Sequence, residues 1–257
     1  MADPLQKHIL ITGAGSGIGA GIALEMARQG HHVWVTDLDL AAAQKVADSI
    51  SSAGGMARAL ALDVTSERSV TTMLEQLDHP IDVLINNAGL QHVEALESFP
   101  MDKWELLVQV MLIGVARLTR ALLPGMREQG FGRIINIGSI HSLVASPYKS
   151  AYISAKHGLI GLSKTVALET ADTDITINTI CPTYVKTPLV EKQIAAQAIK
   201  HGISESEVVD TIMLKPMPKG VFISFEELAG IAAFLFSPAA RNITGQAITV
   251  DGGWTVQ

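Results

Sequence analysis

The chain has 257 residues, of which 48% are hydrophobic and 17% are charged, and its formal net charge is −6. This length accommodates one large α/β domain or two small ones, and the apolar content excludes a disordered chain. The acidic charge balance and the single cysteine, Cys181, exclude a basic nucleic-acid stripe, a disulfide framework and a cysteine-based zinc site, so we expect no nucleic-acid partner and no metal.

Short apolar runs alternate with longer helical patterns along the whole chain. The runs have the nearly continuous hydrophobicity of strands covered on both faces, and they lie at 8–12, 33–36, 57–62, 81–85, 133–137, 176–180 and 247–250. Helical periodicity is found between them, at 17–29, 40–53, 66–77, 101–128, 151–170 and 224–236. The alternation predicts one Rossmann-type domain over 1–257, a doubly wound parallel sheet of about seven strands with helices on both faces.

No segment has the pattern of a targeting peptide or a membrane span. The first apolar run, Ile9–Ile11, is too short for the core of a signal peptide. The most apolar late stretch, Leu228–Phe236, is far shorter than the roughly 20 residues that cross a bilayer. We therefore expect a cytoplasmic protein without a membrane partner.

A glycine-rich segment, Thr12–Gly19, joins the first predicted strand to the first predicted helix. Glycines in this place permit a tight turn and let the backbone approach a pyrophosphate at the helix N-terminus. The register Thr-Gly-x-x-x-Gly-x-Gly makes Gly13, Gly17 and Gly19 the working glycines, while a second register, G-x-G-x-x-A over 15–20, starts two residues past the strand. A glycine-rich turn without a ligand is the alternative.

Asp37 stands at the end of the second predicted strand, 18 residues after Gly19. A carboxylate there accepts hydrogen bonds from an adenosine ribose and repels a 2′-phosphate, and neither Ser16 nor Leu38 supplies a cation. The position therefore favours NAD over NADP. The alternative role of an acid at this point, a helix N-cap, fits Asp39 better.

Three polar residues after the fifth predicted strand form a candidate acid–base centre. Tyr152 and Lys156 lie one turn apart on a predicted helix, and Ser139 lies 13 residues before Tyr152. An ammonium beside a phenol favours the phenolate, so Lys156 is predicted to lower the pKa of Tyr152 and to make it usable as a general acid and base. Without Ser139, a Tyr–Lys pair on the surface would be the simpler interpretation.

Five motifs in chain order resemble the short-chain dehydrogenase/reductase family, and the resemblance runs from about residue 7 to Gly253. They are Thr12-Gly13-x-x-x-Gly17-x-Gly19, Asn86-Asn87-Ala88-Gly89, Ser139, Tyr152-x-x-x-Lys156 and Asn178-x-x-Cys181-Pro182. The resemblance implies that Tyr152 carries the proton, that Lys156 binds the nicotinamide ribose and that Ser139 orients the substrate oxygen. The NAD site that it implies consists of Gly13, Ser16, Gly17, Ile18, Gly19, Asp37, Asp63, Val64, Asn87, Ala88, Gly89, Tyr152, Lys156, Pro182, Val185 and Thr187.

The same resemblance implies a homotetramer in which helices 101–128 and 151–170 pack against symmetry mates.

Two positions depart from the family pattern. Met111 replaces an Asn that helps to hold a kinked helix and a water of the proton relay, so either a slowed enzyme or a substituted relay is expected. Thr183 replaces the Gly that usually follows Cys-Pro, and it lacks the freedom of glycine at positive φ.

The substrate pattern resembles that of family members that act on D-3-hydroxybutyrate. A lysine charge, an imidazole and two amides that converge on one anion suit a small carboxylate substrate. The predicted substrate-binding residues are Gln91, Ser139, His141, Lys149, Tyr152 and Gln193. The alternatives are a cofactor contact for His141, a solvated charge for Lys149 and an outer-face position for Gln193.

One connection, residues 183–222, is long and holds Pro188, Pro216 and Pro218 around two amphipathic runs. An insertion of this length in a compact domain is typical of a lid, so we predict a helical substrate lid there.

The leading hypothesis is an NAD-dependent oxidoreductase that interconverts (R)-3-hydroxybutyrate and acetoacetate. A second hypothesis is a related enzyme for another hydroxy acid, a 3-oxoacyl thioester or a sugar. A third hypothesis, from another class, is a nucleotide-binding scaffold with little turnover. It is considered because Met111 and Thr183 replace residues that the family usually has.

Overall fold

Seven parallel strands form one sheet in the order β3-β2-β1-β4-β5-β6-β7 in the computed structural model of the chain, which describes residues 6–256. The strands are β1 (His8–Thr12), β2 (His32–Asp37), β3 (Met56–Ala61), β4 (Val83–Asn86), β5 (Gly132–Ile137), β6 (Ile175–Pro182) and β7 (Ala247–Val250). The predicted doubly wound parallel sheet is confirmed, while residues 1–5 and 257 of the predicted domain lie outside the described residues. The strand order reverses between β1 and β4, and open α/β sheets bind ligands at such a switch point.

The helices pack on both faces of this sheet. They are α1 (Gly17–Arg28), α2 (Leu40–Ser52), α3 (Glu67–Leu74), α4 (Met101–Val108), α5 (Gly114–Glu128), α6 (Ser150–Glu169), α7 (Pro188–His201), α8 (Glu205–Val208) and α9 (Phe225–Phe236). The predicted helix 101–128 is interrupted by one π-helical turn, Gln109–Ile113, which joins α4 to α5. The other predicted helices are confirmed with small changes at their ends.

Local side chains explain where several elements begin and end. The carboxylate of Asp39 accepts from the backbone N–H groups of Ala41 and Ala42, so Asp39 is the N-cap of α2 as predicted. α1 packs so closely on α9 that a Cβ at Gly21 would lie 2.3 Å from Phe225. Glycine is therefore required at that crossing.

The two edge strands correct one prediction. All seven strands were expected to be buried on both faces. In β3, however, Met56, Arg58 and Ala61 are exposed and Leu60 alone is buried, and β7 is mostly half-buried. The expectation is wrong for β3 and β7, because an edge strand is covered less completely than the strands at the centre of the sheet.

Within residues 6–256, one helical run, Met101–Glu128, is long and apolar enough to cross a bilayer by length and composition alone. Its buried residues recur at helical spacing: Leu107, Met111, Val115, Leu118, Leu122 and Met126. Leu118, Leu122 and Met126 belong to the same apolar cluster as Leu10 of β1, so this run is a core helix of the α/β fold.

The predicted lid follows β6. Its two ends meet where Val185 pairs with Ile223 in an isolated parallel bridge and the N–H of Ile223 donates to the carbonyl of Tyr184 at 3.0 Å. Between these ends, α7, α8 and a π-helical turn at Val209–Met213 enclose a small apolar cluster of their own. Leu214 and Met217 of the lid belong to the main apolar core, so the lid packs against the rest of the domain as well as within itself.

Candidate active site

A cavity of about 550 Å³ lies between the carboxyl ends of the central strands and the lid. It brings together most of the predicted site residues: Gly13, Ser16, Gly17, Ile18, Asp37, Asp63, Val64, Asn87, Ala88, Gly89, Gln91, Ser139, His141, Lys149, Tyr152, Lys156, Val185, Thr187 and Gln193. These residues come from seven separate stretches of the chain, between residues 13 and 193, so the cavity is a product of the tertiary fold.

Two predicted site residues lie outside the lining. Gly19 is buried in α1, where a Cβ would lie 2.5 Å from the carbonyl oxygen of Gly13 and equally close to the amide of Asn87. Gly19 therefore allows the glycine loop to pack on the start of α1 and does not face the cavity. Pro182 is the last residue of β6 and is buried there.

The glycine loop leaves room for a phosphate at the start of α1. Gly13 has a φ of 61°, and a Cβ there would lie 2.8 Å from the Cα of Ala88. Ser16 is the N-cap of α1, and its side chain makes no capping hydrogen bond within the described chain, so the first N–H groups of the helix remain available. Such a helix start binds pyrophosphate oxygens, and the residues present fit a dinucleotide.

Thr12 and Asn87 hold this loop in place. The side-chain amide of Asn87 donates to the carbonyls of Thr12 at 2.9 Å and Gly13 at 3.0 Å. In return, the Thr12 hydroxyl accepts from the backbone N–H groups of Asn87 and Ala88, both at 3.0 Å. Asn87 lines the cavity, but its side-chain amide is hydrogen-bonded to the glycine loop. Asn87 therefore contributes to a dinucleotide site by holding the loop after β1 against the end of β4.

The carboxylate of Asp37 is held at the other end of the glycine loop. One oxygen accepts from the N–H of Gly15 at 2.9 Å, and the other accepts from the N–H of Asp39 at 3.0 Å. Leu38, next to it, lines the cavity and is 76% exposed. The glycine loop and Asp37 together form what we call the dinucleotide cradle. Asp37 and Leu38 give its outer end an anionic and apolar surface.

Ser139, Tyr152 and Lys156 meet at the centre of the cavity. Lys156 Nζ donates to the carbonyl of Ile137 at 2.6 Å and lies 5.6 Å from the centre of the Tyr152 ring. Burial lowers the pKa of Lys156 to about 8. Burial also raises the pKa of Tyr152, although a hydrogen bond with Ser139 acts in the opposite direction. The net direction is opposite to the predicted lowering of the Tyr152 pKa, because burial of the phenol penalises the phenolate.

The backbone after β5 fixes Ser139. Its Oγ accepts from the N–H of His141 at 3.2 Å, and its own N–H donates to the Ser142 hydroxyl at 3.2 Å. These two bonds form a capping box around the short 3₁₀ turn Ile140–Ser142. The Ser139 hydroxyl is thus placed within hydrogen-bonding reach of the Tyr152 phenol.

Lys149 and His141 form a polar end of the cavity, with their Nζ and Nε2 atoms 3.4 Å apart. Burial, followed by the charge of Lys149, lowers the pKa of His141 to about 4. Burial also lowers the pKa of Lys149. Gln91 contributes a buried Oε1 atom without a hydrogen-bond partner within the described chain, and Gln193 reaches the cavity from α7.

Aromatic residues cover this polar end. Trp254 has its ring centre 6.4 Å from that of His141 and 6.1 Å from that of Tyr184. Asp251 fixes the turn that carries Trp254, accepting from the N–H groups of Gly253 at 3.0 Å and Thr255 at 2.8 Å. Tyr184 was not predicted as a site residue, and the one available signal was an aromatic residue at the base of the lid.

The two positions that depart from the family pattern both line the cavity. Thr183 does not have a positive φ; among the described non-glycine residues, Tyr148 alone has one. The backbone at 183 therefore does not need the conformational freedom of the glycine that Thr183 replaces. Its hydroxyl is buried and has no partner within residues 6–256. Met111 is 1% exposed and packs with Leu107 and Ala155 at the π-helical turn, so the local unwinding is present without an Asn.

Comparison with known proteins identifies similar chains of nearly the same length. A family model described as short chain dehydrogenase matches residues 7–198. The D-beta-hydroxybutyrate dehydrogenase of Rhizobium meliloti is 42% identical over 260 residues, covering 98% of this chain and 100% of that protein. The enzyme of the same name from Cupriavidus necator is 41% identical, covering 98% of each chain. A solved structure of an actinorhodin polyketide ketoreductase variant with NADPH has a TM-score of 0.91 and 33% identity, covering 99% of each chain.

Proposed function

The chain belongs to the short chain dehydrogenase family and is an oxidoreductase of that family, and on that premise we propose that it interconverts (R)-3-hydroxybutyrate and acetoacetate with NAD as cofactor. The observation that carries the substrate proposal is the pair Lys149 and His141 at 3.4 Å beside the acid–base centre. A cation, a neutral imidazole and two amides suit a carboxylate. In 3-hydroxybutyrate this carboxylate is separated from the reacting carbon by one methylene group.

The catalytic proposal assigns one task to each side chain of the centre. When bound, the nicotinamide ring supplies the hydride acceptor. Ser139 Oγ accepts from the His141 N–H, and its own hydrogen, which interacts with the Tyr152 phenol in the free protein, would turn to the substrate oxygen when substrate is bound. Tyr152 Oη takes the hydroxyl proton during oxidation, after its own proton has left toward solvent, and gives a proton to the substrate oxygen during reduction. Lys156 holds a positive charge beside Tyr152 and lines the cavity, where its remaining N–H groups would donate to the nicotinamide ribose hydroxyls.

The preference for NAD rests on Asp37. Its two oxygens are fixed by the N–H groups of Gly15 and Asp39, which leaves their remaining lone pairs to accept from the ribose hydroxyls. A 2′-phosphate would stand against this carboxylate beside the apolar Leu38. We therefore assign NAD, although the similar ketoreductase structure holds NADPH.

The test is a substrate panel followed by NADH absorbance. We expect oxidation of (R)-3-hydroxybutyrate with NAD⁺, little oxidation of its S enantiomer, and weak oxidation of its methyl ester, which lacks the charge that Lys149 would bind. Preference for the ester, a 3-oxoacyl thioester or a sugar would support the second hypothesis. NAD binding without turnover of any substrate would support the scaffold hypothesis.

A further inference from the structure

The turn before Lys149 has an unusual backbone. Tyr148 has a φ of 66°, and among the described residues it is the one non-glycine residue in the left-handed region. Residues with a Cβ are disfavoured there, and an aromatic residue is an outlier. Tyr148 is 60% exposed, so packing of its side chain does not account for the conformation.

Two neighbours hold Tyr148 in this conformation. Pro147 precedes it in the turn, and a left-handed residue after a proline is the geometry of a type II turn, which normally uses Gly or Asn at that place. The carbonyl of Tyr148 accepts from the N–H of Glu94 at 2.9 Å. Glu94 lies three residues after Gln91, so this bond ties the loop after β4 to the loop before α6.

The direction of Lys149 depends on this turn. Lys149 is the N-cap of α6, with φ −125° and ψ 32°, and its side chain makes no capping hydrogen bond within residues 6–256. Instead the side chain runs inward and places Nζ 3.4 Å from His141 Nε2. An ordinary negative φ at Tyr148 would rotate the following residue and break the bond to Glu94.

We propose that Tyr148 is a positioning residue, whose left-handed backbone, secured by the Glu94 N–H, directs Lys149 into the cavity. The inference rests on the proposed function only in taking Lys149 as the group that binds the substrate carboxylate. Any residue at 148 that adopts the left-handed conformation should therefore place Lys149 correctly. The phenol of Tyr148 is not needed for this role.

Substitutions that differ in this tolerance test the proposal. Tyr148→Phe and Tyr148→Asn should leave the KM for (R)-3-hydroxybutyrate within about threefold, because Asn tolerates the left-handed region and Phe matches Tyr. Tyr148→Val should raise that KM by about tenfold or more, with the KM for NAD⁺ unchanged, because a β-branched residue opposes a positive φ. If Tyr148→Val does not fold, Tyr148→Thr makes the same comparison, because threonine is also β-branched but carries a polar group.

A second readout does not depend on the substrate. Lys149 is labelled with acetic anhydride in competition with free lysine, and its rate is read by peptide mass spectrometry. We expect slow labelling in the wild type and in Tyr148→Asn, and labelling several-fold faster in Tyr148→Val or Tyr148→Thr. Unchanged labelling in the Val and Thr variants, provided that they still bind NAD, overturns the proposal. If the wild type does not oxidise 3-hydroxybutyrate but Lys149 is still labelled faster in the variants, the positioning role is supported and only the proposed function is contradicted.

Discussion

Lys149 Nζ lies 3.4 Å from His141 Nε2, at the end of the cavity away from the dinucleotide cradle. Burial and the charge of Lys149 hold the pKa of His141 at about 4, so the imidazole is neutral near neutral pH. Burial lowers the pKa of Lys149 as well, which means that its charged form is poorly solvated. An anion bound between them would stabilise that charge, and this is the physical reason to expect a carboxylate.

Removing the lysine charge should therefore weaken carboxylate binding selectively. Lys149→Ala is expected to raise the KM for (R)-3-hydroxybutyrate by about 10- to 100-fold, because one charge-assisted hydrogen bond contributes about 1.5–3 kcal/mol. The KM for the methyl ester should change little. Lys192→Ala, which removes an exposed lysine of α7, is the matched control. Equal losses on the acid and the ester would assign Lys149 to structure or cofactor binding.

Tyr152 is the predicted proton carrier. Tyr152→Phe keeps the ring but removes the hydroxyl, so kcat should fall by about 100-fold or more while NAD⁺ affinity is retained. Steady-state kinetics and fluorescence titration of NADH measure the two quantities. Tyr184→Phe, a nearby tyrosine whose pKa is also raised by burial, is the control and should retain kcat within about threefold. Normal turnover of the Tyr152→Phe protein would exclude Tyr152 as the acid and base.

Asp37 should set the cofactor preference. The wild type is expected to prefer NAD⁺ over NADP⁺ by at least about tenfold in kcat/KM, or about 1.4 kcal/mol. Asp37→Ser combined with Leu38→Arg should relax that preference by removing the repulsion and adding a cation. Asp39→Ser removes a carboxylate two residues away but retains a side chain that can cap α2, so it should leave the preference unchanged. Equal wild-type efficiency with both cofactors would refute the assignment.

Met111 lies beside the acid–base centre at the π-helical turn. A thioether accepts hydrogen bonds weakly and donates none, so it cannot hold a relay water as an amide can. We expect Met111→Asn to raise kcat without changing cofactor affinity, and to lower the melting temperature because an amide enters an apolar cluster. Both proteins are compared from about pH 6 to about pH 10 at saturating substrates. No increase in kcat at any pH would mean that the relay follows another route.

Stability should fall in mild acid because of partly buried histidines at the amino ends of β1 and β2. The rings of His8 and His32 lie 5.0 Å apart, and burial is the main cause that lowers the pKa values of His8, His31 and His32. The unfolded chain therefore takes up protons first as the pH falls below about 6.5, and the free energy of unfolding decreases until the folded rings titrate as well.

Urea unfolding at about pH 7.5 and about pH 5.5 measures this dependence. His8→Phe removes one ionisable ring and should make the free energy of unfolding less dependent on pH, because fewer protons are taken up on unfolding. His201→Gln removes an exposed histidine at the end of α7 and should leave the dependence unchanged. An identical pH dependence in the wild type and His8→Phe would contradict the prediction.

The sequence by itself determined the element order, the parallel sheet and the glycine loop. These features rest on local periodicity and on turn chemistry, both of which are visible within a few neighbouring residues of the sequence. The N-cap at Asp39 and the residues of the acid–base centre were found in the same way, since each is marked by its position relative to a strand end or a helix start.

Only the tertiary structure decided the contacts made across segments. It bonded Lys156 to the carbonyl of Ile137, turned Gly19 away from the cavity and brought Tyr184 and Trp254 over the polar end. It also placed Tyr148 in the left-handed region through a bond from Glu94. Such features depend on which distant groups meet and how far each is buried, and neither quantity is encoded in the spacing of residues along one strand or helix.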